Sequence, residues 1–205
     1  MLRRSVSPLV VVVGGLLVVA ASCAPEPARQ PVVLPTVSSP STTAAPATTG
    51  TTAAPVLPVN CAMMIPGNQL DAAVGVPVSA VLNLVIGEAV PDIGRTGRTT
   101  CRYGVPVGST YPVEISLSSY TSVQQAKARV TVTITDAEQQ GVGSTTVPAG
   151  GVDATYIPFP SGGLVVASSG TYSVAVSLAK TLIPAAQVAV RAGSVAGIVL
   201  AAAGV

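Results

Sequence analysis

Apolar and polar positions over residues 60–205 follow two periods, and each period marks a different kind of element. From Val113 to Tyr120, Val113, Ile115 and Leu117 fall on one face and Glu114, Ser116 and Ser118 on the other, the period of two of a half-buried strand. Tyr172 to Leu178 repeats the pattern, with Tyr172, Val174, Val176 and Leu178 against Ser173, Ala175 and Ser177. The turn signal Ser169-Gly170 joins it as a hairpin to a strand at Leu164 to Ala167. Shorter runs at Thr99 to Tyr103, Thr145 to Val147 and Ala154 to Ile157 also read as strands.

After Ser122 the spacing changes to three and four. Val123, Ala126, Val130, Ile134 and Ala137 line one side of a helix that Ser122 can cap. Thr131, Val132, Thr133 and Thr135 are poor helix formers, so a shorter helix that turns to strand near Val130 stays open. Pro184 starts a closing helix to about Ala202, with Val188, Ala192, Val195 and Val199 on one stripe. Asn68, Asp71 and then Ala72-Ala73-Val74-Gly75 read as a short helix with an N-cap, an acidic first turn and a glycine stop. Val78 to Ile86 is apolar almost throughout, and periodicity does not decide between strand and helix there. The elements together predict an α+β domain, an antiparallel sheet of about five strands with two or three helices packed on it, including a C-terminal helix.

Ahead of this domain the pattern is different. Leu9 to Ala21 is an apolar run of 13 residues behind Arg3 and Arg4. As a helix it reaches about 20 Å, whereas crossing a bilayer core takes roughly 20 apolar residues. A basic start, a short apolar core and a small-residue end are the parts of a secretory signal. The end, Ala20-Ala21-Ser22-Cys23, resembles the lipobox of bacterial lipoproteins, with Ala20 where that family usually has Leu, Val or Ile. The resemblance implies that Cys23 receives diacylglycerol on its thiol and becomes the first residue of the mature protein. The other readings are an ordinary cleaved signal and an uncleaved anchor. Residues 1–22 are then the signal peptide, 23–59 a lipidated cysteine with its linker, and 60–205 a single extracytoplasmic domain.

The linker follows from composition. Ala24 to Pro58 holds eight prolines among Thr, Ser and Ala, with Glu26 and Arg29 its only charges, and can bury no core. Thr42, Thr43, Thr48, Thr49, Thr51 and Thr52 are set as in O-glycosylated stalks, and a bare spacer is the other reading. The cysteine count agrees with export. Lipidation of Cys23 removes one of three, which leaves Cys61 and Cys101 to pair in an oxidising compartment, against the alternative of two buried free thiols.

Charge and residue types narrow the chemistry. Residues 60–205 carry seven basic side chains (Arg95, Arg98, Arg102, Lys127, Arg129, Lys180, Arg191) and seven acidic ones (Asp71, Glu88, Asp92, Glu114, Asp136, Glu138, Asp153). A nucleic-acid binder needs a surplus of cations, so no nucleic-acid partner is expected. The chain has no histidine, which excludes Ser-His-Asp and Cys-His catalysis and the usual zinc sites, and neither a metal nor a cofactor is expected. Ser177-Leu178-Ala179-Lys180 matches S-x-x-K of penicillin-binding enzymes, but Ser and Lys share a face only on a helix, and the S-D-N and K-T-G partners are missing. Arg95 and Arg98 in Gly94-Arg95-Thr96-Gly97-Arg98, with Arg102, can hold an anion through guanidinium forks; the other reading is a solvated loop leading into a strand. Gly193 and Gly197 are spaced as in membrane helix pairs, yet Arg191 and the short run after it favour a helix docked closely on the sheet.

The layout as a whole resembles the small two-cysteine lipoproteins of mycobacteria and related actinobacteria. It rests on the lipobox, the Thr/Pro linker, Asn60-Cys61 before a short helix ending at Gly75, Cys101-Arg102-Tyr103, the Gly151-Val152-Asp153-Ala154 turn and the Ala/Val closing helix. The resemblance implies an α+β domain on the extracytoplasmic side of the cell membrane and transfers no catalytic residue. Two function classes follow. The first is a non-catalytic binding or accessory domain, attached to the membrane through diacylglyceryl-Cys23, whose partner is a protein, a cell-wall component or an apolar ligand between helix and sheet. The second is an envelope enzyme using carboxylates such as Glu114 and Asp153. Two carboxylates sharing a cleft would mark the enzyme, and an apolar pocket or an exposed patch of Tyr103, Tyr111, Tyr156 and Phe159 would mark the binder.

Overall fold

The computed structural model describes residues 56–78 and 82–205. The signal, Cys23 and the linker as far as residue 55 lie outside the described residues. Seven antiparallel strands form one sheet: β1 (Leu82–Gly87), β2 (Arg95–Tyr103), β3 (Val113–Tyr120), β4 (Thr145–Ala149), β5 (Val152–Phe159), β6 (Gly162–Ser169) and β7 (Tyr172–Ala179). Their order is β1-β2-β3-β7-β6-β5-β4. Two meanders therefore meet at β3 and β7, and helix α3 (Val123–Gln139) carries the chain from β3 in the middle to β4 at the far edge. Three further helices, α1 (Cys61–Met64), α2 (Gly67–Val74) and α4 (Ala185–Ala202), complete the domain.

The α+β class and the antiparallel sheet stand, but seven strands replace the expected five or so, and four helices the expected two or three. Two elements escaped the periodicity for physical reasons. Strand β1 is an edge whose Leu82, Leu84, Val85 and Ile86 are all exposed, so neither face is marked by polarity. Helix α1 is only four residues long, too short to show a period. The Arg95 to Arg98 run is no loop. It is the first half of β2, paired to β3 with a register shift between Arg95 and Gly97, and meeting β1 at Arg98.

Local signals mostly acted where expected. Ser122 caps α3 by accepting from Gln125 N at 3.2 Å. That helix runs on to Gln139 in spite of its β-branched residues, and the Thr131 and Thr133 hydroxyls donate back to the Lys127 and Arg129 carbonyls. Gly75 ends α2 in the left-handed region at φ 86°. Asn68 is not the cap of that helix. Pro66 occupies the position, and the capping asparagine is Asn60 of α1, which accepts from Met63 N at 2.9 Å. Asp71 lies past the first turn and accepts instead from Val78 N at 2.8 Å, holding the exit from α2.

Alternation along the strands makes the two faces of the sheet unlike. One face carries Cys101 and Tyr103 of β2, Val113, Ile115 and Leu117 of β3, Val165 and Ala167 of β6, and Val174, Val176 and Leu178 of β7. All of these are buried, and with α1, α2 and α4 they form the hydrophobic core. Val188, Ala192, Val195 and Val199 of α4, the stripe read from sequence, are fully buried in it. Helix α4 is long and apolar enough to cross a membrane by length and composition; its stripe instead covers the sheet. The chain just before α1 joins the same face: Leu57 packs on the core, and Thr99 Oγ1 donates to the Pro58 carbonyl at 2.8 Å.

Helix α4 also meets the sheet backbone to backbone. A Cβ on Gly193 would stand 2.5 Å from the Pro148 carbonyl oxygen, and one on Gly197 2.5 Å from Gly150 N. Gly150 and Gly151 both have positive φ, 62° and 95°, in the two-residue turn between β4 and β5, as type I′ hairpins require. The glycine pair of α4 thus lets a helix seat against a tight hairpin.

Candidate functional site: a polar groove beneath α3

The second face of the sheet is built from the other half of the alternation. Arg98, Thr100 and Arg102 of β2 lie beside Ser118, Ser116 and Glu114 of β3, and these beside Ser173, Ala175 and Ser177 of β7. Helix α3 is the layer over this face, and Ala126 is its only fully buried residue. The floor under α3 is mixed, with Ser116, Ser118 and Ser173 beside Val166 and Ala175, and the apolar stripe of the helix does not close down on its polar part as α4 does on the core. What remains is a groove of about 220 Å³, with Arg98, Ser116, Ser118 and Ser173 on its floor and Arg129 and Thr133 of α3 along its wall.

Hydrogen bonds hold the floor in place. Thr100 Oγ1 and Ser116 Oγ are 2.8 Å apart, Arg98 Nε donates to Ser118 Oγ at 3.2 Å, and Ser173 Oγ donates to Tyr120 Oη at 3.4 Å. Cross-strand hydroxyl pairs of this kind fix side-chain rotamers and leave lone pairs and the outer guanidinium nitrogens for a ligand. Arg102 Nε donates to Glu114 Oε2 at 2.7 Å, and this is the one ion pair among the described residues. The Arg102 guanidinium also lies 5.6 Å from the centre of the Tyr111 ring.

The three arginines read as anion contacts therefore separate in role. Arg98 faces the groove and forms no ion pair among the described residues, with Glu114 acting on its charge only from a distance. Burial first, then the Arg95 charge and also Arg129, lower its pKa from the ordinary arginine value. Arg102 is neutralised by Glu114. Arg95 donates from its outer nitrogen to the Glu88 carbonyl at 3.3 Å, and its buried Nε has no partner among the described residues. Arg129 was missed in the sequence because it sits one position from the apolar stripe of α3. Its signal is the small, hydroxyl-rich half of β3 and β7, which marks a face that a cation at the edge of the covering helix can overhang.

The other candidates are dispersed. Cys61 and Cys101 are joined by a disulfide, with Cα atoms 5.7 Å apart, tying α1 to β2. Glu114 lines the groove without a second carboxylate, while Asp153 is placed on β5 opposite Pro148 at the outer end of the sheet. Ser177 lies on β7 and Lys180 in the turn beyond it, so the S-x-x-K pair shares no helix. The four aromatic residues form no common patch. Tyr103 is 7% exposed, and Tyr156 and Phe159 belong to β5, on the other side of β3, β7 and β6. Tyr103 lines a separate, largely apolar pocket of about 290 Å³ with Ile65, Leu70, Val78 and Leu82. Its hydroxyl has no partner among the described residues, and burial pushes its pKa up to about 12.

No protein-family model matches the chain, and no curated protein matches it. Among solved structures, the extracellular domain of PknH from Mycobacterium tuberculosis overlaps it with a TM-score of 0.44 at 11% identity, over 70% of this chain and 94% of that one. The overlap is loose, and no function is taken from it.

Proposed function

We propose that this chain is a lipid-anchored protein of the cell envelope, attached outside the cytoplasmic membrane through diacylglyceryl-Cys23, whose domain binds a polar ligand beneath α3 and catalyses no reaction. The observation that carries the binding reading is the floor of the groove. A guanidinium and a row of hydroxyls lie below a helix that touches the sheet with a single fully buried residue, Ala126. A fold that only had to be stable would gain by filling such a gap with apolar side chains. The anchor rests on the short signal core ending in Ala-Ala-Ser-Cys.

The guanidinium and hydroxyls of the groove favour a polar ligand there, in place of the apolar one expected between helix and sheet. Native mass spectrometry of the protein taken from its own envelope tests the reading, with Ala175→Phe as the variant that fills the floor. A mass adduct on the wild type that the folded variant lacks supports it. A wild type that carries no adduct sinks it.

A further inference from the structure

We propose that the ligand of this groove carries a phosphate group, held between the guanidinium of Arg98 on the sheet and that of Arg129 on α3. The inference rests on the reading of the groove as a binding site and names the chemistry that site selects. Arg98 is half-buried and engages Ser118 through Nε alone, so its two outer nitrogens carry no bond to the floor. Arg129 lines the same groove from the opposite wall. Partial burial disfavours the charge of Arg98 and an anion would offset that cost, while Glu114, the carboxylate that shares the groove, is taken by Arg102. The site thus has two positive groups and no free negative one.

Phosphate suits this arrangement better than carboxylate. One guanidinium fork satisfies both oxygens of a carboxylate, whereas a phosphate offers oxygens in several directions and accepts forks from two sides. The Ser116 hydroxyl on the floor lines the groove with the two cations and, when it accepts from Thr100, can donate its own proton to a further oxygen. The groove, at about 220 Å³, is smaller than the roughly 300–1,000 Å³ of sites that enclose a whole drug-sized ligand. It takes a head group and leaves the rest of the molecule outside. That head group belongs either to a soluble phosphate ester or to a phospholipid.

The test uses the full chain in neutral detergent micelles at low salt, titrated with glycerol 3-phosphate and with glycerol. The expected result is saturable binding of the ester, none of glycerol, and a weakening of about tenfold or more in Arg98→Gln and in Arg129→Gln, the loss that follows from removing one charge-assisted donor pair. Arg129 is exposed, so its variant keeps the fold, and without ligand its thermal midpoint should be unchanged or higher, because a repulsion with Arg98 is relieved. A purely structural arginine would lower it. Micelles doped with phosphatidylglycerol or with diacylglycerol separate the sources: a midpoint rise with the phospholipid alone that depends on Arg98 assigns the site to a lipid head group, and a response to the soluble ester alone assigns it to a free phosphate ester. Binding of neither phosphate compound, or an affinity in either variant equal to that of the wild type, overturns the proposal. If the adduct lost in Ala175→Phe is then found to be neutral, the groove survives as a binding site and the phosphate alone is refuted.

Discussion

Replacing Gly197 by alanine tests the contact on which α4 and hence the core depends. The added Cβ would lie 2.5 Å from Gly150 N and 2.8 Å from both Ala149 C and Gly150 Cα, where carbon atoms at rest sit about 3.5–4.0 Å apart. The helix or the hairpin must therefore move by roughly 1 Å. All three neighbours are backbone atoms of the β4–β5 hairpin, so no side chain can swing aside. Overfilling a packed core costs about 1–3 kcal/mol, sometimes more. Alanine recovers close to 1 kcal/mol through helix propensity and the stiffer unfolded chain. With all three clashes against backbone the cost lies at the upper end of that range, so the net expectation is a loss of about 2 kcal/mol, at a few degrees of thermal midpoint per kcal/mol for a domain of this size. Gly67→Ala is the control, because nothing stands within 4 Å of its Cβ in the first turn of α2. It should be neutral or slightly stabilising. Urea unfolding followed by circular dichroism reads both. If Gly197→Ala is as stable as the wild type while Gly67→Ala behaves as stated, α4 does not seat backbone to backbone on the hairpin.

Cys101→Ser opens the 40-residue separation closed by the disulfide and should cost about 4 kcal/mol on the chain-entropy estimate; limited proteolysis should then cut before Gly75, and resistance of that region would contradict the role given to the bond. Cys23→Ala should release the protein from salt-washed membranes, because two acyl chains hold a protein where one barely does; retention of the variant would show that lipid on Cys23 is not the anchor. Tyr103, with a folded pKa of about 12 against 10.0 for the free side chain, holds its proton more tightly when folded, so its contribution is complete below pH 10 and is lost as pH rises toward 12, by about 2–3 kcal/mol in all. Tyr103→Phe should remove that decline in alkaline unfolding titrations and cost nothing at neutral pH, since an unpartnered buried hydroxyl gives no stabilisation; a loss above about 1 kcal/mol at pH 7 would reveal a hydrogen bond to that hydroxyl.

Local patterns determined much of this protein. The alternation in Val113–Tyr120 and Tyr172–Ala179 gives strands with one apolar and one polar face, and the pairing of β3 with β7 sets the like faces side by side. The caps and stripes of α3 and α4 follow from spacings of three and four and from Ser122 and Pro184. These are short-range effects, decided by residues within a turn or two of one another, so a sequence displays them. Whatever depends on which elements become neighbours was not displayed. Strand β1 carries apolar residues on both faces, and only its pairing with β2 makes it a strand. Arg95 to Arg98 has the composition of a loop and became strand because β3 pairs along one side of it, with Gly87 of β1 opposite Arg98 and Val90 bridged to Arg95 on the other. Gly193 and Gly197 mean close docking, yet the hairpin they dock on lies more than forty residues earlier in the chain. The groove is the extreme case, since Arg98 and Arg129 come from a strand and a helix separated by all of β3, and they face one another because α3 crosses the polar side of the sheet and the other helices pack against the apolar side.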